Sequence, residues 1–256
     1  MPVIVGVINT SPESFYAPSV CRSVEEVVKR AEEFVSHGAE IIDVGGMSTA
    51  PYKETWVSVE EEIRRVIPPV KELCDLGFEV SIDTTRAEVA RRAVEAGAEI
   101  VNAVLPGEEI AGVVREFGVR AIVVAREIEW REDVNSVVSS TISALKRDLE
   151  LFRGCRTIAD PAIGFWRKHG RWYFRDIAVL ANLDEIRRAV KRPVLVGISR
   201  KSFIGAVTGE EPEDRLPGSV AAEVLSMPDY VRTHSVRESF QAFRIAELMH
   251  AYRLTG

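Results

Sequence analysis

Eight short runs of β-branched and aliphatic residues alternate with eight longer helical patterns along this 256-residue chain, and that alternation constrains the fold more than any other feature. The runs are Val3–Ile8, Glu40–Val44, Glu79–Ile82, Glu99–Val104, Arg120–Val124, Thr157–Ala159, Val194–Val196 and Tyr230–Arg232. Helical periodicity covers Ser23–Ser36, Ser58–Cys74, Ala87–Ala96, Glu108–Glu116, Asn135–Phe152, Phe174–Val190, Arg215–Leu225 and Val236–Tyr252. Strands spaced by helices pair in parallel, and eight such units predict a closed α/β architecture, the (β/α)8 TIM barrel, as one domain over residues 1–256. A doubly wound open sheet is the competing arrangement. Gly38, Gly77, Gly97 and Gly118 each stand just ahead of a strand, where a helix C-cap belongs. Ser23 and Ser58, each followed by two acids, read as N-caps.

With 46% hydrophobic and 28% charged residues the chain can bury one large core, and its net charge of −6 argues against a general nucleic-acid binder. An anionic ligand therefore needs a local cationic cluster. Cys21, Cys74 and Cys155 are far apart and show neither a disulfide framework nor zinc spacing, which points to a reducing, cytoplasmic setting. The opening MPVIVGVINT is too short for a membrane span and lacks a basic flank, so neither a signal peptide nor an anchor is expected.

Polar residues recur where these strands end. Asn9 closes the first, Asp83 the third and Asp160 the sixth, while Asn102 lies inside the fourth, in IVNAV. The seventh strand leads to Arg200 and Lys201, and the eighth to Arg232 and His234, which face the same way if the strand continues. Buried polar groups without partners are costly, so their recurrence predicts hydrogen-bonding groups gathered at the barrel mouth. The competing reading of Asp83 is an N-cap for the helix that follows. Carboxylates accept from ring N–H and amino groups, an Asn amide both donates and accepts, and a Lys donates; the set suits a flat nitrogen-rich heterocycle beside an anion. His37, His169 and His250 fit surface or packing positions, and no phosphate-loop motif is present. Two long segments, residues 45–57 and 161–173, fall after strands, on the face where barrels carry substrate loops.

Several motifs together resemble the dihydropteroate synthases, within the wider pterin-binding barrels: GVINTSPESF, GAEIIDVGGMSTAPY, SIDTTRAEVARRAVEAGAEIVNAV, DPAIGF, SRKSFIG followed by RLPGS, and RTHSV. The resemblance covers nearly the whole chain. It implies condensation of 6-hydroxymethyl-7,8-dihydropterin pyrophosphate with p-aminobenzoate, giving dihydropteroate and pyrophosphate, with Mg2+ as cofactor. It places Asp83, Asn102, Asp160 and Lys201 on the pterin, and Asn9, Arg232 and His234 on the pyrophosphate, with Asn9 also at the metal. Thr49, Pro51, Phe165 and Ser199 line the aryl-amine pocket, and Lys201, Arg232 and His234 carry the catalytic load. A homodimer built through the last helices is also implied, with Phe240, Phe243, Leu248 and Tyr252 supplying the apolar face. The substrates are small molecules, with no nucleic acid or membrane involved.

The chain departs from the family pattern at Met47 (Glu in the family), Ala50 (Arg), Tyr52 (Gly), Ala103 (Asp), Trp166–Arg167 (Gly-Lys) and Ser235 (Asp). Lys53 stands close enough to substitute for the arginine missing at Ala50. The basic and aromatic Trp166–Tyr173 segment suits a larger or phosphorylated aryl amine held by Arg167, Lys168 and Arg171; a solvated surface loop is the plainer reading. Two alternatives share the barrel and the Asp83, Asn102, Asp160 pattern: a pterin-dependent methyltransferase acting on a corrinoid protein, and a non-catalytic pterin-binding paralogue.

Overall fold

The computed structural model describes residues 1–11, 20–47, 57–165 and 171–254. Eight strands form one parallel sheet: β1 (Val3–Asn9), β2 (Ile41–Gly45), β3 (Val80–Thr84), β4 (Ile100–Ala103), β5 (Arg120–Val124), β6 (Thr157–Asp160), β7 (Leu195–Val196) and β8 (Tyr230–Thr233). Neighbours in the sheet run β6-β5-β4-β3-β2-β1-β8-β7. A parallel bridge between Ala159 and Val194 joins the two outer strands, so the sheet closes on itself. Closure excludes the open doubly wound arrangement and gives the (β/α)8 barrel.

Helices wrap the barrel: α1 (Val24–Ser36), α2 (Val59–Asp75), α3 (Ala87–Glu95), α4 (Glu108–Phe117), α5 (Val134–Glu150), α6 (Tyr173–Ala181), α7 (Leu183–Val190), α8 (Ser202–Thr208), α9 (Leu216–Ser226) and α10 (Val236–Leu254). The stretch expected as one helix over Phe174–Val190 is two, α6 and α7, broken at Asn182. The Asn182 side chain donates to the Ala178 carbonyl at 2.8 Å, a local bond that competes with helix propagation. Ser23 and Ser58 cap α1 and α2, accepting from the N–H of Glu26 (3.2 Å) and of Glu61 (3.1 Å). None of the described helices is long and apolar enough to cross a membrane.

Period-two alternation along the strands builds the interior in layers. Val5, Ile41, Ile100, Ile122, Ile158 and Leu195 form a separate apolar cluster that plugs the barrel. Two residues further along β2, β4 and β6 come Asp43, Asn102 and Asp160, on the same faces as Ile41, Ile100 and Ile158. On β8, Tyr230 packs against the plug and Arg232 follows it by two. The intervening residues, among them Ile42, Val44, Val101, Ala103, Ala159 and Val231, belong to the larger core shared with the helices.

Gly38 follows α1 with φ +103, and a Cβ there would run into the ring of Phe240 on α10. Backbone strain and that aromatic contact act together. Gly38→Ala is expected to destabilise the fold by about 1–3 kcal/mol, read as a lower Tm in thermal unfolding, while Gly118→Ala, which meets no neighbouring atom, costs only the strain.

Candidate active site

The barrel mouth is organised around Arg232. Its Nε donates to Asp43 Oδ2 at 2.5 Å, and Nη2 donates to Asp83 Oδ2. Asn102 stands beside Asp83 in the β3–β4 register and donates from Nδ2 to the same Asp43 oxygen at 3.4 Å. Asp43 is fully buried, and Asp83 and Asn102 nearly so. One oxygen on each, Asp43 Oδ1, Asp83 Oδ1 and Asn102 Oδ1, is buried and accepts no hydrogen bond from the described protein groups. Three orphaned acceptors in one buried cluster are costly for folding alone and suit a ligand that presents donors.

Asp83 is not a cap. Helix α3 starts from Arg86 with no side-chain cap bond, and Asp83 lies within β3. Thr84 and Arg86 instead bond Glu62 of α2 at 2.7 Å each. Arg86 also donates to the Val57 carbonyl at 2.5 Å, and Arg65 to the Gly46 carbonyl at 3.2 Å. The two described ends of the long second loop are thus tied to Arg65 of α2 and to Arg86 at the start of α3.

On the opposite side Asp160 ends β6, and its Oδ1 accepts from the Ala162 N–H at 2.7 Å. The turn that follows is irregular, with Ala162 at φ 58 and Gly164 at φ 80. Arg175 and Asp176 at the start of α6 hold it. Arg175 donates to the carbonyls of Ala162 (3.0 Å) and Pro161 (2.6 Å), and Asp176 accepts from the Gly164 N–H at 3.1 Å. Lys201 crosses this turn. Its Nζ sits 4.7 Å from the Phe165 ring centroid, and a Cβ at Gly164 would meet Lys201 Cδ at 2.7 Å. Glycine is required there by both φ and space.

The adjacent cation Arg200 is anchored to the turn after α8. Its Nη1 donates to the carbonyls of Pro212 and Glu213 at 2.9 and 2.5 Å, away from Lys201. Ser199 is buried and touches His234 twice: its hydroxyl accepts from the His234 backbone N–H at 3.3 Å and lies 3.2 Å from Nδ1. Asn9 ends β1 opposite Gly45 of β2, where a Cβ would meet Asp83 Cβ at 3.5 Å and Asn9 Oδ1 at 3.7 Å.

Burial dominates the electrostatics. It raises the Asp83 carboxyl well above the usual range; Arg232 opposes the rise, and Asp43 and Glu62 add to it. Asp160 is likewise raised by burial, against the Ala162 N–H and Lys201. Burial and then Arg232 push Lys201 down to about 8. His234 is pushed down to about 3 by burial, then by Arg232, Lys201 and Arg200, so its imidazole is neutral at pH 7. The expected pair of cations at the end of β8 is therefore one guanidinium and one neutral hydrogen-bonding ring.

Of the expected residues, Asp83, Asn102 and Arg232 form one contact cluster, Lys201 and Phe165 a second, and Ser199 and His234 a third. Thr49, Pro51, Lys53, Arg167 and Lys168 lie outside the described residues. Asp43, Arg175 and Asp176 join the site without having been among the expected residues. Asp43 carries a signal of the kind Asn102 does, a charged residue inside the apolar strand IIDVG. Among the described residues no group of three or more His, Cys, Asp and Glu could hold a metal on its own. Replacing Asp43 by Asn removes a charge that raises Asp83 and leaves Arg232 nearer to it alone. The Asp83 carboxyl should then titrate at lower pH, as followed by carbon-13 NMR.

Residues 5–234 match the family of pterin binding enzymes. The dihydropteroate synthase of Clostridium beijerinckii is 32% identical over 259 residues, spanning 96% of this chain and 93% of that protein. Burkholderia cenocepacia dihydropteroate synthase complexed with 7,8-dihydropteroate superposes with a TM-score of 0.86 at 28% identity, covering 100% of this chain and 94% of that one. The enzyme of Xanthomonas albilineans with 4-aminobenzoic acid gives 0.82 at 31%, covering 98% and 94%. With the family match running from β1 to the end of β8 and likeness spanning 96% of the chain, the chain belongs to the pterin-binding enzymes and, among them, to the dihydropteroate synthases.

Proposed function

We propose that the Arg232 cluster binds the pterin of 6-hydroxymethyl-7,8-dihydropterin pyrophosphate and that p-aminobenzoate attacks its methylene carbon. The observation that carries this reading is the set of buried, unpartnered acceptors on Asp43, Asp83 and Asn102. A pterin ring offers N–H and amino donors in one plane. Asp83 and Asn102 meet them from one side, Asp160 and Lys201 from the other.

The chemistry follows from the charges. The methylene C–O bond breaks and its electron pair leaves with the pyrophosphate. The carbon left behind is cationic, and the buried carboxylates of Asp43, Asp83 and Asp160 stabilise it electrostatically. Arg232 and the neutral His234 donate to the departing pyrophosphate oxygens. The amine nitrogen of p-aminobenzoate then forms the new C–N bond and gives up a proton to solvent or to the leaving group. Thr49, Pro51, Phe165 and Ser199 surround the acceptor. Holding both reactants in line is worth about 7–11 kcal/mol in favourable cases.

Asn9 supplies one neutral oxygen at the end of β1, which fits Mg2+, an ion that keeps several waters and takes much of its coordination from substrate phosphates. Bound there, the ion would neutralise charge on the pyrophosphate. A homodimer would cover exposed Leu225 and Met227 near the end of α9 and Ile245, Leu248 and Tyr252 on α10. Phe243 is not available for this, being buried in the protein's own core, and Phe240 packs against that core. Cytoplasmic residence accords with a soluble-substrate synthase and unpaired cysteines.

The test is pyrophosphate release from the pterin pyrophosphate with Mg2+ and p-aminobenzoate. Turnover that depends on a larger or phosphorylated aryl amine instead would assign the acceptor to the Trp166–Tyr173 segment; binding without release would indicate the non-catalytic paralogue. Arg232→Ala is expected to lower kcat/KM by on the order of 10²–10³, by loss of one charge-stabilising donor. Chelating Mg2+ is expected to raise the KM for the pterin pyrophosphate and to leave the KM for p-aminobenzoate unchanged.

A further inference from the structure

Glu223 is a fully buried carboxyl behind the site, on the outward side of β8. Its Oε2 accepts from Ser239 Oγ of α10 at 2.6 Å. Ser239 Oγ also lies 3.3 Å from Thr233 Oγ1 of β8, so it stands between the carboxyl and the strand. All three side chains are at most 1% exposed. Glu223 Oε1 has no hydrogen-bond partner among the described residues. A buried carboxyl with one hydroxyl donor on Oε2 is an expensive way to pack a helix, since aliphatic side chains would fill the same space without desolvation cost.

What it holds is the strand end that carries the two anion-site residues. Thr233 lies between Arg232 and His234, and alternation turns its side chain outward while theirs turn in. The Thr233 hydroxyl accepts from the Ser235 N–H at 3.1 Å, so it clamps the backbone on both sides of His234. On one side β1 pairs with this end at Val5 with Arg232 and Gly6 with Thr233; on the other, β7 pairs with β8 only at Leu195 with Tyr230 and Val196 with Val231. Past Val231, the β7 side meets this segment through Gly197, which faces Arg232, and Ser199, which bonds His234.

We propose that Glu223 is a positioning residue that, through Ser239 and Thr233, fixes the orientation of His234 and Arg232 for the leaving pyrophosphate; the functional half of this inference rests on the anion-site reading above. Burial raises the Glu223 carboxyl to about 7, against the hydrogen bond from Ser239.

The test compares Glu223→Ala, Thr233→Val and the conservative Glu223→Gln. The ring nitrogen-15 signals of His234, assigned by their loss in His234→Gln, are read in the folded protein without substrate. They should shift in the Ala and Val variants and hold in the Gln variant, whose amide keeps an acceptor for Ser239. Inorganic pyrophosphate, titrated calorimetrically with Mg2+, should bind about fivefold more weakly in the Ala and Val variants. Their kcat should fall by on the order of tenfold, with the KM for p-aminobenzoate within about twofold of wild type. A purely structural role would reduce the folded fraction and leave both the His234 signals and the pyrophosphate affinity of folded molecules unchanged; that result overturns the proposal. If Glu223→Ala does not fold, Thr233→Val and Ser239→Ala decide by the same readouts. Failure of the wild-type protein to bind pyrophosphate would overturn the anion-site reading, and the His234 signals would still decide whether Glu223 positions the ring.

Discussion

The arginine at the end of β8, shared between buried carboxylates on β2 and β3, is the interaction on which the mouth of this barrel depends. Asp43 and Asp83 come from neighbouring strands and would repel each other in a cavity of low dielectric. Arg232 reaches across from a strand on the far side of β1 and makes both tolerable. It does so without satisfying them completely, since each keeps one unpartnered oxygen. The barrel thus spends stability on a polar layer that an apolar layer would have packed more favourably. That trade is intelligible in a pterin-binding enzyme, whose ligand class presents ring N–H and amino donors.

The apolar plug beneath makes the polar layer possible. Ile41, Ile100 and Ile158 fill the barrel one step below Asp43, Asn102 and Asp160. Because the side-chain period is two, a one-residue slip in any of these strands would turn a mouth residue toward the helices and bring a core aliphatic inward. Register, core packing and site geometry are therefore fixed by one constraint. The outward residues are held as firmly: Thr84 by Glu62, and Thr233 by the Glu223–Ser239 pair. Each of these hydroxyls sits next to a residue of the mouth in sequence and points the other way.

Those features that depend on spacing along the chain are legible in the sequence. The eight strands, the capping serines and the left-handed glycines after α1, α2, α3 and α4 all follow from local pattern and local backbone chemistry. Asn102 stands out because an amide inside an apolar run is costly unless a hydrogen-bonding role keeps it there. Asp43 meets the same criterion, but in its motif the paired glycines that follow draw the eye to the loop and away from the strand. Arg175, Asp176 and Glu223 cannot be found that way. On a helix, a charged residue reads as part of a solvated face, and only the tertiary packing shows that these three are buried. The division of the cations is of the same kind: Arg200 and Lys201 are adjacent, but Arg200 sits at φ 56, and its side chain runs to the Pro212 and Glu213 carbonyls.

Three departures from the family pattern fall on described residues: Ala103, Ser235 and Met47. Ala103 follows Asn102 by one residue, is fully buried and belongs to the core shared with the helices. A change there alters helix packing and leaves the hydrogen bonds of the mouth alone. Ser235 lies past the end of β8, where its N–H bonds Thr233, so its contribution runs through the backbone and not through a charge. Met47 is buried at the start of the second loop, one residue after the Gly46 carbonyl that Arg65 holds. What these positions share is that none removes a side chain from the Asp43, Asp83, Asn102 and Arg232 cluster. That buried cluster can therefore stay fixed while residues around it drift, because Ala103, Ser235 and Met47 act through core packing and backbone contacts outside it.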